Sequence, residues 1–225
     1  MKLLATIIAT IIALGTAASV QAQTPDAIMK RAASAYTEMK TIRAEFEQTI
    51  TNPLTGTNAT ARGVMLRKSP DLLAVNFTSP KGDRVVADGK SLWVYLPSSA
   101  PGQVIKLPSN GKSTLALVEP GELFLNSPSS RYDMTSGGSA TISGRKANIV
   151  SLVPKKTNNV FTLAKVWVDA ADASIRKFEV VDVNGLTRVV TITKLQANVP
   201  VAASEFRFSP PKNVRVLDSA AMNGG

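Results

Sequence analysis

Two short apolar segments around an Asp-Gly dipeptide form the clearest hydrophobic pattern in the chain. The stretch Val85–Leu96 reads V-V-A-D-G-K-S-L-W-V-Y-L, and this arrangement predicts a tight β-hairpin, since glycine adopts positive φ angles readily. After the turn, Leu92–Leu96 has five apolar residues in succession. A strand with one face in water should alternate apolar and polar residues. The pattern therefore predicts that protein covers both faces or that one face borders an apolar space.

The N-terminal part of the predicted mature chain changes from a helical to a strand pattern. Thr24–Asp26 offers a capping hydroxyl, a proline and an acid, which together predict a helix start. Apolar residues then recur at helical spacing as far as Met39. From Ile42 to Ile50 the period becomes two, which predicts an antiparallel strand with one solvated face.

Short apolar segments bounded by Pro, Gly, Asp or Asn continue along the chain. They predict strands at Ala59–Arg67, Leu72–Phe77, Arg84–Ala87, Leu92–Leu96, Gln103–Leu107, Ala140–Ser143, Ala147–Pro154, Leu163–Val168, Ile175–Val183 and Leu186–Leu195. Asn184-Gly185 is the strongest hairpin signal among them. Phe206 and Phe208, followed by two prolines, indicate an edge strand or a strand exit. Such spacing without long helices predicts an antiparallel sheet that forms a barrel or a sandwich.

The strand pattern is interrupted between Pro108 and Tyr132. Two short apolar segments, Ser113–Val118 and Glu122–Leu125, are separated by a Pro-Gly pair, and proline ends one helical turn and can begin the next. They predict two short helices that lie over the sheet as a flap. An ordinary buried helix pair and a mobile lid are both compatible with this pattern.

The chain begins with the features of a secretory signal peptide. Lys2 precedes an apolar segment, Leu3–Leu14, and small residues follow up to Ala22. We therefore expect residues 1–22 to be removed on export, residues 23–218 to form a single domain, and residues 219–225 to be a disordered tail.

Composition excludes several kinds of chemistry. The chain has no cysteine and no histidine, which removes disulfides, Ser-His and Cys-His catalysis and the usual zinc sites. We expect no metal and no cofactor. The formal net charge is +10, but no basic run is long enough to indicate nucleic-acid binding. The aspartates lie mostly in predicted turns, where their side chains bond the local backbone.

Four segments, in this order and spacing, resemble the LolA family of periplasmic outer-membrane lipoprotein carrier proteins. They are Phe46–Gln48, Gly63–Pro70, Asp88–Tyr95 and Phe206–Pro211. The resemblance implies an α+β fold: a strongly curved, incomplete antiparallel β-barrel, or half-barrel, with an N-terminal helix and a short helical lid enclosing an apolar cavity.

The resemblance also implies a function and its partners. A periplasmic carrier of this family accepts acylated lipoproteins from an inner-membrane ABC transporter and delivers them to a receptor lipoprotein on the outer membrane. The acyl chains of the cargo would occupy the cavity. We expect a monomer that is not an enzyme and does not bind nucleic acid.

Candidate site residues follow from the apolar pattern and the resemblance together. The residues expected to line the lipid cavity are Leu73, Val75, Leu92, Val94, Leu115, Leu117, Val118 and Phe124. Family members commonly have an arginine before the proline at the position of Pro70, where it ties the lid to the barrel; this chain has Ser69. Arg67, Lys68 and Ser69 are therefore the candidate latch residues.

Three alternatives compete with lipoprotein transport. A Ser-Lys catalytic site is the enzymatic alternative, although Lys90-Ser91 is better explained by turn chemistry. A sensor or binding module on the same scaffold would detect stray lipids or act in envelope stress, and this signalling role is disfavoured because no appended second domain is evident. A carrier for a different lipid or acylated product is favoured by two departures from the family pattern, Ser69 and the aliphatic Val75, which is often tryptophan in relatives.

Overall fold

The computed structural model describes residues 23–108, 119–157 and 160–219. The predicted signal peptide, the cavity candidates Leu115, Leu117 and Val118, and the tail after residue 219 lie outside these ranges. Helix α1 spans Pro25–Glu38 and begins as predicted, because the hydroxyl of Thr24 accepts a hydrogen bond from the backbone N–H of Ala27 at 3.2 Å. Within the described ranges, no helix combines the length and apolarity that a membrane crossing needs.

The described residues form one large mixed sheet. Its strands are β1 (Thr41–Asn52), β2 (Thr57–Lys68), β3 (Leu72–Ser79), β4 (Arg84–Asp88), β5 (Ser91–Tyr95), β6 (Gln103–Pro108), β7 (Tyr132–Ile142), β8 (Arg145–Pro154), β9 (Leu163–Asp169), β10 (Ile175–Val181), β11 (Thr187–Ala197) and β12 (Arg215–Asp218). Their order is β12-β6-β5-β4-β3-β2-β1-β11-β10-β9-β8-β7. The first and last strands of this order do not pair, so the sheet is the predicted incomplete barrel.

Each predicted strand is present, and two features differ from the predictions. The segment predicted at Ala140–Ser143 is the end of a longer strand, β7. The C-terminal strand β12 was not predicted; it pairs parallel to β6, whereas the other paired strands are antiparallel. The four residues of β12 follow a segment that contains two prolines, and they carry no local strand signal. They form a strand because they pair with β6, about a hundred residues earlier in the chain.

The sheet has an apolar cluster on each of its two faces. The concave face packs against α1 and buries large side chains such as Met29, Ile42 and Leu152. On the convex face a smaller cluster joins Leu66, Ala74, Val86 and Phe206. The second cluster is covered by the C-terminal segment 201–208, which contains a 3-10 turn over Ala203–Phe206. Phe206 therefore ends a helical turn, whereas its spacing with Phe208 had indicated an edge strand or a strand exit.

Protein covers both faces of the apolar strand β5. Leu92 is buried in the concave cluster, while Trp93 and Tyr95 face the convex side, where their rings lie 5.5 Å and 5.9 Å from the ring of Phe208. The indole N–H of Trp93 donates to Asp88 at 2.9 Å. Of the two interpretations of this strand, the one in which protein covers both faces is therefore correct. The five successive apolar residues are explained by this burial on both sides.

Replacing Phe208 tests how much the outer cover contributes to stability. Phe208→Ala is expected to lower the free energy of unfolding by about 1–2 kcal/mol, because it removes two aromatic pairs and part of a buried apolar surface. Phe208→Leu, which keeps apolar contact without the ring, should cost less. Urea denaturation followed by tryptophan fluorescence measures both values. Equal stability of all three proteins would show that the side chain of Phe208 adds nothing to the stability of the fold.

The aspartates in the turns accept hydrogen bonds from backbone N–H groups of the same turn, as the sequence indicated. Asp88 accepts hydrogen bonds from the N–H groups of Lys90 and Ser91 at 2.9 and 2.8 Å. The carboxylate of Asp169 accepts from the backbone N–H of Ala171 at 2.8 Å and also pairs with two arginines. Burial acts to raise the pKa of Asp169, but these hydrogen bonds and the arginine charges hold it well below its ordinary value.

Candidate functional site: an apolar cavity under a helical lid

A cavity of about 340 Å³ lies between the concave face of the sheet and the lid. This volume is within the range of about 300–1,000 Å³ that is usual for small-molecule sites. The sheet contributes Phe46, Gln48, Ile50, Met65, Val75, Phe77, Val85, Phe178, Val180, Arg188, Val190 and Ile192, and the remaining wall residues are Glu119, Pro120, Leu123, Val160, Asp182 and Leu186. Most of these side chains are apolar, so the space suits hydrocarbon.

The alternation of the strands places the wall residues side by side. Gln48 of β1 pairs with Val190 of β11, which pairs with Phe178 of β10, and side chains two residues apart on a strand share a face. Phe46 packs edge-to-face on Phe77, with ring centroids 5.7 Å apart. Gly63 permits this arrangement, because a Cβ atom there would lie 2.9 Å from the ring of Phe46.

The lid consists of α1 and two short helical turns, α2 (Gly121–Leu125) and α3 (Pro128–Arg131). The α2 turn is π-helical and buries Leu123, Phe124 and Leu125. The ring of Phe124 packs against Phe178 of the sheet, with centroids 5.4 Å apart. The second predicted flap helix is thus present as a single turn; the first, Ser113–Val118, lies outside the described residues.

A buried glutamate lies where the lid meets the cavity. Glu119 is 3% exposed, and its carboxylate accepts hydrogen bonds from the N–H groups of Gly121 and Glu122 at 3.1 and 2.8 Å and from the hydroxyl of Tyr36 in α1. Burial raises the pKa of Glu119 to about 7, although the two backbone hydrogen bonds act to lower it. Glu119 therefore joins α2 to α1 and can change its charge near neutral pH.

Arg67 joins the sheet to the same part of the lid. Its side chain points to the concave face of β2, where it is 8% exposed. Its guanidinium donates to the carbonyl of Met39, just after α1, at 2.9 Å, and lies 4.2 Å from the centre of the Tyr36 ring. Burial lowers the pKa of Arg67, and the charge of Glu122 opposes this shift. A line of contacts thus runs from Arg67 through Tyr36 to Glu119.

The three candidate latch residues lie in different places. The side chain of Arg67 reaches the lid. Lys68 is exposed at the end of β2, and Ser69 donates its backbone N–H to the carbonyl of Lys40 at 2.8 Å. The family arginine corresponds to position 69 of this chain. Here the arginine that reaches the lid is Arg67, two residues earlier, which is one period of a strand.

The candidate cavity residues also lie in different places: one lines the cavity and the other described ones are packed in the core or the lid. Val75 lies on the cavity wall. Leu73 and Leu92 are buried in the concave cluster, Phe124 is buried in the lid, and Val94 packs against that cluster; none of these four lines the cavity. Leu73 pairs with Arg67 and with Ala87, so its row lies at the covered end, where a space of only about 30 Å³ remains beside Tyr36 and Ile42, and Leu73 does not line it.

The wall contributed by β10 and β11 was not identified from the sequence. Phe178, Val180, Val190 and Ile192 alternate with polar residues, which showed that one face of each strand is buried. The sequence did not show that this face borders open space, because packed and cavity-lining residues have the same pattern.

Gly121 leaves no room between the two parts of the lid. A Cβ atom on Gly121 would overlap the ring of Tyr36, so Gly121→Ala is expected to push α2 away from α1 and weaken lid closure by about 2 kcal/mol. Hydrogen exchange of residues 121–125 should then become faster. Tyr36→Ala vacates the overlapping space. The loss of lid stability in the double variant should therefore be smaller than the sum of the losses in the two single variants. Unchanged exchange in Gly121→Ala would contradict this contact.

Comparison with known proteins adds a second line of evidence. Residues 37–209 match the family model described as outer membrane lipoprotein carrier protein LolA. An outer-membrane lipoprotein carrier protein of Serratia proteamaculans is 27% identical over 186 residues, which cover 82% of this chain and 85% of that protein. The protein with the same description from Edwardsiella ictaluri is 28% identical over 183 residues, covering 80% and 82%.

A solved structure supports the fold independently. The crystal structure of an uncharacterized conserved protein from Thermus thermophilus superposes with a TM-score of 0.54 and covers 85% of this chain and 96% of that one. The two sequences are 14% identical, so this similarity concerns the fold and not the ligand.

Proposed function

Since the chain belongs to the LolA family of outer membrane lipoprotein carrier proteins, we propose that it is a periplasmic carrier of lipoproteins. In this proposal the cavity holds the acyl chains of a lipoprotein while the protein crosses from the inner to the outer membrane. The observation that carries the proposal is the apolar cavity of about 340 Å³ beneath a lid joined to the sheet by a few polar contacts.

The physical need for such a cavity follows from the hydrophobic effect. Burial of acyl chains is worth about 0.8 kcal/mol for each methylene group, so two or three long chains amount to roughly tens of kcal/mol. A free lipoprotein therefore cannot cross an aqueous compartment at a useful rate. Aliphatic walls such as Val75, Val190 and Ile192 suit the task, because they hold chains without a fixed polar geometry.

The direction of transport has to come from differences in affinity. Transfer without nucleotide runs only towards the tighter binder, so the carrier must bind cargo more weakly than the receptor does. A lid that closes over the empty cavity lowers the net affinity, since part of the binding energy is used to open it. The Arg67–Tyr36–Glu119 contacts are the part of the lid that we assign to this role.

The remaining parts of the proposal concern processing and partners. Residues 1–22 would direct export, and residues 23–218 would act as one monomeric domain. An inner-membrane ABC transporter would load the carrier, and an outer-membrane receptor lipoprotein would unload it. The family is one of carriers, and we assign no catalytic role and no cofactor.

Depletion in the native host tests the proposal. Lipoproteins should accumulate in the inner membrane when the protein is depleted, and a copy lacking only the signal peptide should not restore their sorting. Protein recovered from the periplasm should carry acylated polypeptides. Normal lipoprotein sorting after depletion would refute the proposal.

A carrier for a different lipid is the second candidate. It is favoured by Val75, an aliphatic residue on the cavity wall where relatives often have tryptophan, and by Ser69 in place of the family arginine. Normal lipoprotein sorting together with a co-purifying lipid that is not attached to protein would favour this candidate over the first.

A further inference from the structure

One cationic side chain lines the predominantly apolar cavity far from the latch. Arg188 of β11 pairs with Ile50 of β1 and with Val180 of β10, and all three line the cavity. Arg67 pairs with Ile42, eight residues before Ile50 on the same strand. At roughly 3.3 Å per residue, the row of Arg188 lies about 26 Å from the row of Arg67. Arg188 therefore marks the end of the cavity opposite the latch.

The guanidinium of Arg188 has neither an ion pair nor a hydrogen bond within the part of the chain that the structure describes. Arg62 and Arg176, in contrast, pair with carboxylates. The acid whose charge acts on Arg188 is Asp182, and it is engaged in its turn, where its Oδ1 atom accepts from the backbone N–H groups of Asn184 and Leu186 at 2.8 and 2.9 Å. Arg188 as a whole residue is exposed to solvent, but the wall around it partly removes water from its guanidinium, which lowers the pKa of Arg188, and the charge of Asp182 opposes the shift.

An unpaired guanidinium beside an apolar wall is suited to an oxyanion attached to a hydrocarbon chain. The planar guanidinium donates two parallel hydrogen bonds to a phosphate or a carboxylate. Gln48, in the next row of the wall beside Val190, supplies an amide N–H donor, and Phe46 and Ile192 form the following row towards the lid. A chain in the cavity could thus place a polar end beside Arg188.

We propose that Arg188, with Gln48 beside it, binds an oxyanion at the polar end of the acyl ligand and so makes the cavity selective for anionic over neutral acyl compounds. This inference rests on the proposed binding of acyl chains and deepens it by naming the class of head group. The oxyanion could belong to a phosphate of a lipid or to a carboxylate of an acylated polypeptide. The two sources share the same recognition chemistry and differ in geometry.

Three probes with the same ten-carbon chain test the proposal: N-decanoylglycine, its neutral analogue N-decanoylglycinamide, and decyl phosphate. The wild-type protein should bind the two anions about tenfold more tightly than the neutral analogue, as one charge-assisted contact would give. Arg188→Gln should abolish this difference, and Arg188→Lys should retain part of it. Arg62→Gln, on an exposed pair with Glu47, is the matched control and should leave the difference unchanged.

A second variant acts in the opposite direction. Asp182→Asn keeps the oxygen that accepts the turn hydrogen bonds but removes the negative charge near Arg188, so it should raise the affinity for both anions and leave the neutral analogue unaffected. No increase would contradict the placement of the anion beside Arg188.

The outcomes separate this inference from the proposed function. Equal binding of all three probes, unchanged in Arg188→Gln, would overturn the anion site while acyl binding stands. Binding of no probe would overturn both. A preference for decyl phosphate points to a lipid head group, and a preference for N-decanoylglycine points to a polypeptide carboxylate; each preference supports the site.

Discussion

Val190→Trp is expected to weaken acyl-chain binding by about 100-fold. Val190 lies on the cavity wall between Gln48 and Phe178, so a tryptophan side chain would occupy the space that three to four methylene groups of a ligand would otherwise fill. At about 0.8 kcal/mol for each methylene, the loss is about 2.7 kcal/mol. Titration with a fluorescent fatty acid measures the affinity, and circular dichroism verifies that the variant is folded.

The adjacent residue provides a matched control. Val189 is on the same strand but its side chain points to the opposite face, and it pairs with Glu179 and Thr49. Val189→Trp should therefore bind the probe as the wild-type protein does. Equal losses in the two variants would indicate a general effect on the fold, and no loss in either would show that ligand does not occupy the cavity.

The protein is expected to become less stable, and its lid to open more readily, as the pH rises to about 7. The pKa of Glu119 in the folded protein is about 7, against an ordinary value of 4.5, so the folded state retains a proton that the unfolded state releases. The free energy of unfolding should therefore fall between about pH 4.5 and pH 7, by about 3 kcal/mol, and change no further above this range.

The groups around Glu119 explain why its ionisation should affect the lid first. The carboxylate lies against the hydroxyl of Tyr36 on α1, and Glu122 on α2 adds a second negative charge. The positive charge of Arg67 lies behind the Tyr36 ring. A carboxylate formed in this buried site is stabilised when the lid opens and water reaches it.

Glu119→Gln should remove most of this pH dependence, because the amide does not ionise, while its oxygen can still accept from one of the two backbone N–H groups. Urea denaturation between pH 4.5 and 8.5 measures stability, and the uptake rate of the fatty-acid probe over the same range measures lid opening. Glu47→Gln, which changes an exposed acid paired with Arg62, is the control. If the pH dependence of the wild-type protein persists in Glu119→Gln, another ionisable group must cause it.

The fold was predictable because its signals are local. The hairpin at Asp88-Gly89 was predicted from a dipeptide, and the structure gives Gly89 a φ of 88°. Period-two alternation in β1 likewise identified its buried face. The cover over Trp93 was not predictable in detail, because Phe208 is more than a hundred residues away and reaches β5 only through the tertiary fold.

The site was predictable in kind but not residue by residue. The family resemblance implied a cavity under the flap, yet Leu73 and Ile192 share the same inward alternation while only Ile192 borders the cavity. The contact between Arg67 and Tyr36 depends on how α1 lies over β2, which no spacing in the sequence specifies. Glu119 follows an apolar segment as any surface acid could, and only the structure shows that it is buried.

Photo-crosslinking in the periplasm tests most directly whether the cavity carries lipoprotein. A photoreactive benzoylphenylalanine in place of Ile192, which lines the cavity, is compared with the same residue in place of Thr191, which has the opposite orientation on β11. The account predicts adducts with the acylated ends of lipoproteins at position 192 and far fewer at position 191. Lipoprotein adducts at neither position, or equally at both, would contradict it.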